Sequence, residues 1–177
     1  MNKQIFRQAF LANAIADIGK GEEGGNNDGR YVRGLLAGVG VNEPAAWCAA
    51  AVWSWLYTTI EAMKDDELDL NVHDLRSPSA RAMFNDAKEL GWLVSDPEPG
   101  DIMIIKRTAY DAKGNLIDWL GHAAVVENKK GPGMFGFCLP VIEGNVGSFP
   151  AKVKRSNYAW PVENLLGFIR FFGDGDK

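Results

Sequence analysis

The chain has 177 residues, of which 46% are hydrophobic and 24% are charged, and its net charge is −4 at pH 7. This length predicts a single domain, residues 1–177, with a substantial core, and the composition is typical of a globular protein. The acidic balance argues against a nucleic-acid-binding protein, which would carry a basic patch, and gives no support to binding at an anionic membrane.

The first third of the chain predicts helices. Apolar residues at helical spacing predict an amphipathic helix over residues 3–19. Residues 19–31 are rich in Gly and Asn, which indicates a loop, and a short helix is expected over 31–38. A helix that is apolar on nearly all faces is expected from Pro44 to about Met63, with Pro44 in its first turn, as a central buried element.

The remainder changes from helical to β-type patterning. After an acidic connection over 64–75, Ser77 and Pro78 predict the N-cap and first residue of a helix that ends at Gly91. Runs of strand-forming residues follow, separated by turns rich in Gly and Pro, over 101–107, 121–128, 137–145, 151–156 and 165–172. Helices in about 1–95 and strands in about 100–173 indicate the α+β class, with N-terminal helices packed on a C-terminal antiparallel β-sheet.

Membrane-directing segments are not expected. No stretch reaches the ~18 apolar residues of a membrane-spanning helix, so no membrane insertion is expected. Arg7, Gln8 and Asn13 interrupt the N-terminal segment where a signal peptide would be continuously apolar. The protein is therefore expected to be made in the cytoplasm, and any action outside it would need delivery by another system.

Two cysteines, Cys48 and Cys138, are the only ones in the chain. A disulfide between them is conceivable, but a domain of this length does not need one. Cys138 is expected to be a buried core thiol. Cys48 follows Pro44 within the expected first turn, where the helix N-terminus and a nearby imidazole would lower its pKa and make it nucleophilic. A small core side chain is the alternative for Cys48.

Of the two histidines, His73 lies in a polar connector and is expected to be exposed. His122 begins an apolar strand directly after Gly121, and a glycine there allows another backbone or a substrate to approach closely. The alternative for His122 is a strand-end histidine that binds a carbonyl group.

A third candidate position lies at the end of the next long strand. Glu143 and Asn145 share one face of that strand if its alternation continues, and either could hold the second nitrogen of a catalytic imidazole. A surface charge at the strand end is the alternative for Glu143.

No metal site is expected from the sequence. A zinc site would need His73 and His122 to meet in space, and no HExxH motif is present. The acidic segment 65–76 has Leu70 where a calcium-binding loop needs glycine and Arg76 where it needs glutamate.

Five segments, taken in order, resemble the cysteine- and histidine-dependent amidohydrolase/peptidase (CHAP) family. "EEGGNNDGRYV" (22–32) is similar to its Gly/Asn-rich lead-in, and "AWCAAAVWSW" (46–55) to its nucleophile helix. "PEPGDIMII" (97–105) is similar to its PxPGDIVvf strand, "GHAAVVE" (121–127) to its histidine strand and "VIEGNVG" (141–147) to the segment of its last polar member. The resemblance covers about residues 14–170.

The resemblance implies a papain-like α+β fold and cleavage of peptidoglycan amide bonds. It assigns Cys48 as the nucleophile, His122 as the general base and acid, and Glu143 as the carboxylate that orients the imidazole, with Asn145 as an auxiliary or alternative third member. A thioester would form on Cys48 and be hydrolysed by water. The Cys48 backbone N–H would be one oxyanion donor.

The second oxyanion donor is not defined by the resemblance. Trp47 stands where some relatives have a polar amide, and Asn26 or Asn27 could serve instead, although turn formation is the alternative for both. Within an insert over 108–121, Trp119 could line the cleft or be a packing aromatic residue.

Calcium, which some relatives bind, is not expected, so no cofactor is assigned. The family's aspartate two residues after the cysteine is replaced here by Ala50, and the preceding loop offers only Glu22, Glu23 and Asp28.

Three classes of function follow. The first is a monomeric cell-wall hydrolase, an N-acetylmuramoyl-L-alanine amidase or an endopeptidase, acting as a phage lysin, a bacterial lytic enzyme or an exported toxin. The second is a thiol acyltransferase with the same Cys–His pair, and the third is an inactive wall-binding module. The retained Cys48, His122 and Glu143 argue against the third.

Overall fold

The computed structural model describes residues 3–63, 71–110, 113–117, 119–133 and 136–171. These ranges contain helices and antiparallel strands in the order that the sequence predicts, which confirms the α+β class. The helices are α1 (Lys3–Ala16), α2 (Arg30–Gly38), α3 (Cys48–Ala62), a 3₁₀ helix (Asn71–Leu75) and α4 (Ala80–Glu89). Residues 64–70 of the expected acidic connection lie outside the described residues.

Two helices begin later than the sequence predicts. Pro44 lies outside α3, which starts at Cys48, because Trp47 adopts non-helical angles as its N-cap (φ −117°, ψ 11°). The N-cap of α4 is Ser79 and not Ser77, since the Ser79 hydroxyl accepts the Ala82 N–H at 3.3 Å. Ser77 instead accepts the N–H of Ser79 at 3.0 Å and fixes the chain before the helix. The end of α4 at Gly91 is confirmed by the left-handed φ of that glycine, 72°.

The strands form one main sheet and a small hairpin. They are β1 (Leu93–Val94), β2 (Ile102–Lys106), β3 (Ala109–Tyr110), β4 (Leu116–Ile117), β5 (Gly121–Val126), β6 (Gly131–Gly133), β7 (Gly136–Val146), β8 (Lys152–Ala159) and β9 (Leu165–Ile169). The order β1-β9-β2-β5-β7-β6 is antiparallel throughout, with β8 paired to β7 as well. The expected insert contains the β3–β4 hairpin, with residues 111, 112 and 118 outside the described residues.

Alternation along the strands gives the sheet two buried faces. The helices cover one of them, as predicted, and α1 and α3 contribute Phe6, Phe10 and Trp55 to that core. The other face carries a smaller cluster, formed by Met103, Ala124, Val126, Leu139, Val141, Val162 and Phe168. Both faces of the central strands are therefore apolar, which explains their almost continuous hydrophobic sequence.

Cys138 does not belong to the core, contrary to expectation. It is half-buried and free, as Cys48 is free, so the two form no disulfide. The reason is that the first residues of β7 are open to solvent, since Gly136 and Phe137 are both exposed, Phe137 by 60%.

Within the described ranges, none of the helices combines the length and the apolar character that crossing a membrane requires.

Candidate functional site

The structure brings together three of the residues that the sequence singles out. Cys48 is the first residue of α3, His122 is the second residue of β5, and Glu143 lies in β7. All three are buried, with 5%, 0% and 1% of their surfaces exposed. Because α3 packs on β5, its N-terminus delivers the thiol to the start of the strand that carries the imidazole.

His122 and Glu143 interact directly. The Nε2 atom of His122 lies 2.8 Å from Oε2 of Glu143. The register explains this contact, since Ala124 pairs with Glu143 and places its side chain on the sheet face that alternation gives to His122. A buried carboxylate on Nε2 fixes the ring orientation and stabilises the imidazolium form.

The second nitrogen of His122 is left for Cys48. Nδ1 is buried and has no hydrogen bond of regular geometry to any described residue. The Cys48 thiol interacts with the same ring, and each of the two groups shifts the pKa of the other. The arrangement Sγ–imidazole–carboxylate therefore runs from α3 through β5 to β7.

The pKa shifts favour a charged pair. Burial acts to raise the pKa of Cys48, but the hydrogen bond and charge of His122 outweigh it and hold the pKa below 9.0. Burial acts to lower the pKa of His122, but Cys48 and Glu143 together raise it above 6.5. A thiolate beside an imidazolium is the reactive form of a cysteine nucleophile.

Glu143 is kept ionised by partners that sequence reasoning missed. Burial acts to raise the pKa of Glu143, but His122 and the Ser156 hydroxyl lower it below its usual value, helped by Tyr158. The Tyr158 hydroxyl donates to Oε2 at 2.8 Å, and burial beside this carboxylate raises the pKa of Tyr158. Only the β7–β8 register, which pairs Val141 with Ser156 and Leu139 with Tyr158, puts these hydroxyls on the face of Glu143.

Asn145 does not follow the alternation expected of it. Its φ is 60°, in the left-handed region, and the β7–β8 register shifts between Glu143 and Val146. This irregularity is a β-bulge, which breaks the two-residue period between Glu143 and Asn145. The geometry therefore gives the Nε2 position to Glu143.

Trp47 is placed away from the role of an oxyanion donor. It is fully buried, and its indole N–H donates to Oε1 of Glu22 at 3.2 Å. The same oxygen accepts the Asn27 backbone N–H at 3.0 Å, and Oε2 accepts the N–H of Ala151 at 2.8 Å. Glu22 thus joins the Gly/Asn-rich loop, the start of α3 and the segment before β8, a role that sequence reasoning missed.

The remaining candidates have structural positions. Asn27 has a left-handed φ of 54°, which supports the turn alternative, and Asn26 is exposed. Gly121 makes room for α4, because a Cβ there would lie 3.3 Å from the Cβ of Ala80. Trp119 is 65% exposed, which contradicts the packing alternative and leaves it on the surface three residues before His122.

The acidic loop before α3 does not fit a calcium ion. Both oxygens of Glu22 accept N–H groups, and Asp28 forms an ion pair with Arg33 and accepts the Gly29 N–H. In the part of the chain that the structure describes, no three His, Cys, Asp or Glu side chains are grouped to hold a metal ion. His73 is exposed, as predicted, and packs against Trp53 and Tyr57.

The charged pair predicts an unusual pH dependence for Cys48 alkylation. The thiolate–imidazolium form exists above the lowered pKa of Cys48 and below the raised pKa of His122, so iodoacetamide should modify Cys48 well below pH 9.0. Glu143→Gln removes a group that raises the pKa of His122, so the pH range of high reactivity should narrow from its alkaline side. The measurement is the rate against pH, followed by mass spectrometry of the Cys48 peptide. A wild-type profile with a single rise near pH 9 would contradict the charged pair.

The chain was compared with protein-family models, with curated proteins and with solved structures, and none of them matches it.

Proposed function

We propose that the protein is a thiol-dependent amidohydrolase of the CHAP type that cleaves amide bonds in peptidoglycan. The observation that carries the proposal is the Cys48–His122–Glu143 arrangement, with its 2.8 Å contact between imidazole and carboxylate. A cysteine that serves only to pack the start of a helix does not need a hydrogen-bonded imidazole and carboxylate next to its thiol, whereas Cys48, whose pKa is lowered, has both. These groups are the ones that acyl transfer from an amide to a thiol requires.

The chemistry follows from the positions of the groups. The Cys48 thiolate attacks the amide carbonyl, and the C–N bond then breaks as the His122 imidazolium gives its proton to the leaving amine. Neutral His122 next takes a proton from water as its oxygen attacks the thioester. The C–S bond then breaks and releases a carboxylic acid and the Cys48 thiolate, which restores the thiolate–imidazolium pair. Glu143 stays ionised and stabilises the imidazolium in both steps.

The start of α3 supplies stabilisation for the oxyanion. The first backbone N–H groups of a helix have no intrahelical acceptor, and the helix dipole is positive there. The first backbone bond of α3 runs from the Ala51 N–H to the Trp47 carbonyl at 2.9 Å, so the Cys48 N–H lies ahead of the helical ladder. In this mechanism that N–H binds the developing negative charge.

Peptidoglycan is proposed as the substrate on the resemblance of the five sequence segments. A papain-like arrangement is part of the same proposal, and it is supported by a helix that carries the cysteine packed on an antiparallel sheet that carries the histidine. We propose a monomer that reaches the cell wall by release or export through another system.

The test is digestion of purified sacculi, with Cys48→Ala as the blank. Wild-type protein should release soluble fragments, and mass spectrometry of their new termini distinguishes an amidase from an endopeptidase. Digestion in H₂¹⁸O should place one ¹⁸O in each new carboxylate. Fragments joined to an added amine, without ¹⁸O, would instead indicate the acyltransferase, and no release in either form would exclude both activities on this wall.

A further inference from the structure

Arg107 extends the active-site face of the sheet. It directly follows β2, and its backbone N–H donates to the Leu120 carbonyl at 3.1 Å, which continues the β2–β5 ladder by one residue pair. Ile105 pairs with His122, so their side chains share a face. Because side chains alternate along a strand, Arg107 lies on the same face as Ile105. Arg107 is therefore next to His122, where β2 ends and β5 begins.

Arg107 is exposed and has no carboxylate partner among the residues that the structure describes. Other arginines of the chain contrast with it, because Arg33, Arg155 and Arg170 each pair with a carboxylate. An exposed arginine beside a reactive thiol can offer the donors of its planar guanidinium to a ligand.

The charge of Arg107 reaches the reacting groups. It acts to lower the pKa values of Cys48, His122 and Tyr158, all of which lie on or next to this face. For His122 this effect opposes the imidazolium form that the mechanism needs. A bound anion would cancel that cost, so the position favours a substrate that carries negative charge next to the scissile amide.

We propose that Arg107 is a substrate-binding residue that recognises a free carboxylate adjacent to the amide cleaved at Cys48. This specificity rests on the proposed function, and it selects acidic stem peptides over forms whose carboxylate is amidated. Arginine suits the role because its fork binds both carboxylate oxygens at once. The exposure of the site predicts a moderate effect, since water and salt screen charges there.

The first experiment needs no peptidoglycan. Iodoacetate and iodoacetamide alkylate thiols by the same displacement of iodide, and they differ in whether a carboxylate or an amide adjoins the attacked carbon. We expect Arg107→Gln to lower the ratio of iodoacetate to iodoacetamide rates at Cys48 by about five- to thirtyfold, and Arg107→Lys to lower it less. Cys138 in the same sample is the internal reference, and its ratio should not change.

Lys129→Gln is the matched control, because it removes one exposed positive charge beyond the opposite end of β5. It should leave the ratio at Cys48 unchanged. If Arg107→Gln slows both reagents equally, Arg107 acts on the thiolate alone and the carboxylate site is wrong. An unchanged ratio, or an equal fall in Lys129→Gln, would also overturn it.

A second experiment uses stem peptides with the same scissile amide and either a free or an amidated neighbouring carboxylate. Wild-type protein should prefer the free acid by about five- to thirtyfold in kcat/KM, and Arg107→Gln should remove that preference. The two proposals fail separately. Loss of the alkylation preference in a protein that cleaves no wall material supports the carboxylate site and rejects the hydrolase, whereas wall digestion with an unchanged alkylation ratio does the reverse.

Discussion

Cys48→Ala is expected to reduce turnover of wall substrate by about 10⁴-fold or more, because the proposed mechanism forms its acyl intermediate on the Cys48 thiol. His122→Gln is expected to cost about as much, since the thiol and the imidazole act as one unit. Glutamine is preferred to alanine at position 122 because its amide can still donate to Glu143, which is buried and ionised. The double variant should be no worse than either single one. The measurement is kcat/KM on a purified stem peptide.

The controls separate chemistry from folding and identify the third member. Far-UV circular dichroism and the thermal midpoint should show that both variants are folded. Glu143→Gln should lower kcat/KM less than the substitution of Cys48 or of His122. Asn145→Ala should keep kcat/KM within a few-fold of wild type, because the β-bulge breaks the alternation that would put Asn145 on the face of Glu143. Activity in Cys48→Ala would reject the mechanism, and a loss at Asn145 equal to that at His122 would reassign the imidazole partner.

Gly144→Ala is expected to be the most damaging small substitution near the site. A Cβ at position 144 would lie 2.4 Å from Cζ3 of Trp47, which is fully buried and tied through its N–H to Glu22. The indole therefore cannot move without breaking a buried hydrogen bond. We expect the free energy of unfolding to fall by about 3 kcal/mol, which is at the upper end of the cost of overpacking a core, and Tm to fall by roughly 6–12 °C. Thermal and urea unfolding measure it.

Gly34→Ala is the matched control for this prediction. Gly34 lies inside α2, and a Cβ there would meet nothing within 4 Å. Alanine at an open helical position should stabilise the protein by about 0.5–1 kcal/mol. If both variants unfolded at the wild-type temperature, the tight packing of Trp47 under β7 would be wrong.

The contact between Gly144 and Trp47 links stability to the site. Trp47 immediately precedes Cys48, the proposed nucleophile, and Gly144 immediately follows Glu143. Their packing therefore holds the start of α3 against β7, with Glu22 fixing the indole from the other side. If Trp47 shifted relative to Gly144, the position of Cys48 relative to His122 would change. In the proposed mechanism a small misplacement of the thiol has a large effect on the rate.

Local patterns predicted the main helices and strands and part of the candidate site. Apolar periodicity placed α1, α2 and the five principal strands, since burial of one face requires that spacing. The starts of α3 and α4 are wrong in the prediction, because a proline in the first turn favours a helix that begins there, whereas both helices begin after it. The cap of α4 is local, since Ser79 accepts the N–H of Ala82, three residues further on. Trp47 makes no capping bond through its side chain, and its buried indole is held instead by Glu22, which is distant in the sequence.

The sequence by itself determined the α+β class and the order of the elements, because burial depends on residue type and local spacing. It singled out Cys48 and His122 and left Glu143 and Asn145 as alternatives for the third position. Only the tertiary structure decided which side chains meet. The strand registers brought Tyr158 and Ser156 to Glu143, placed Arg107 beside His122 and removed Asn145 through a bulge. A shift of one residue in a register exchanges the two faces of a strand, and the register is fixed by packing between distant segments.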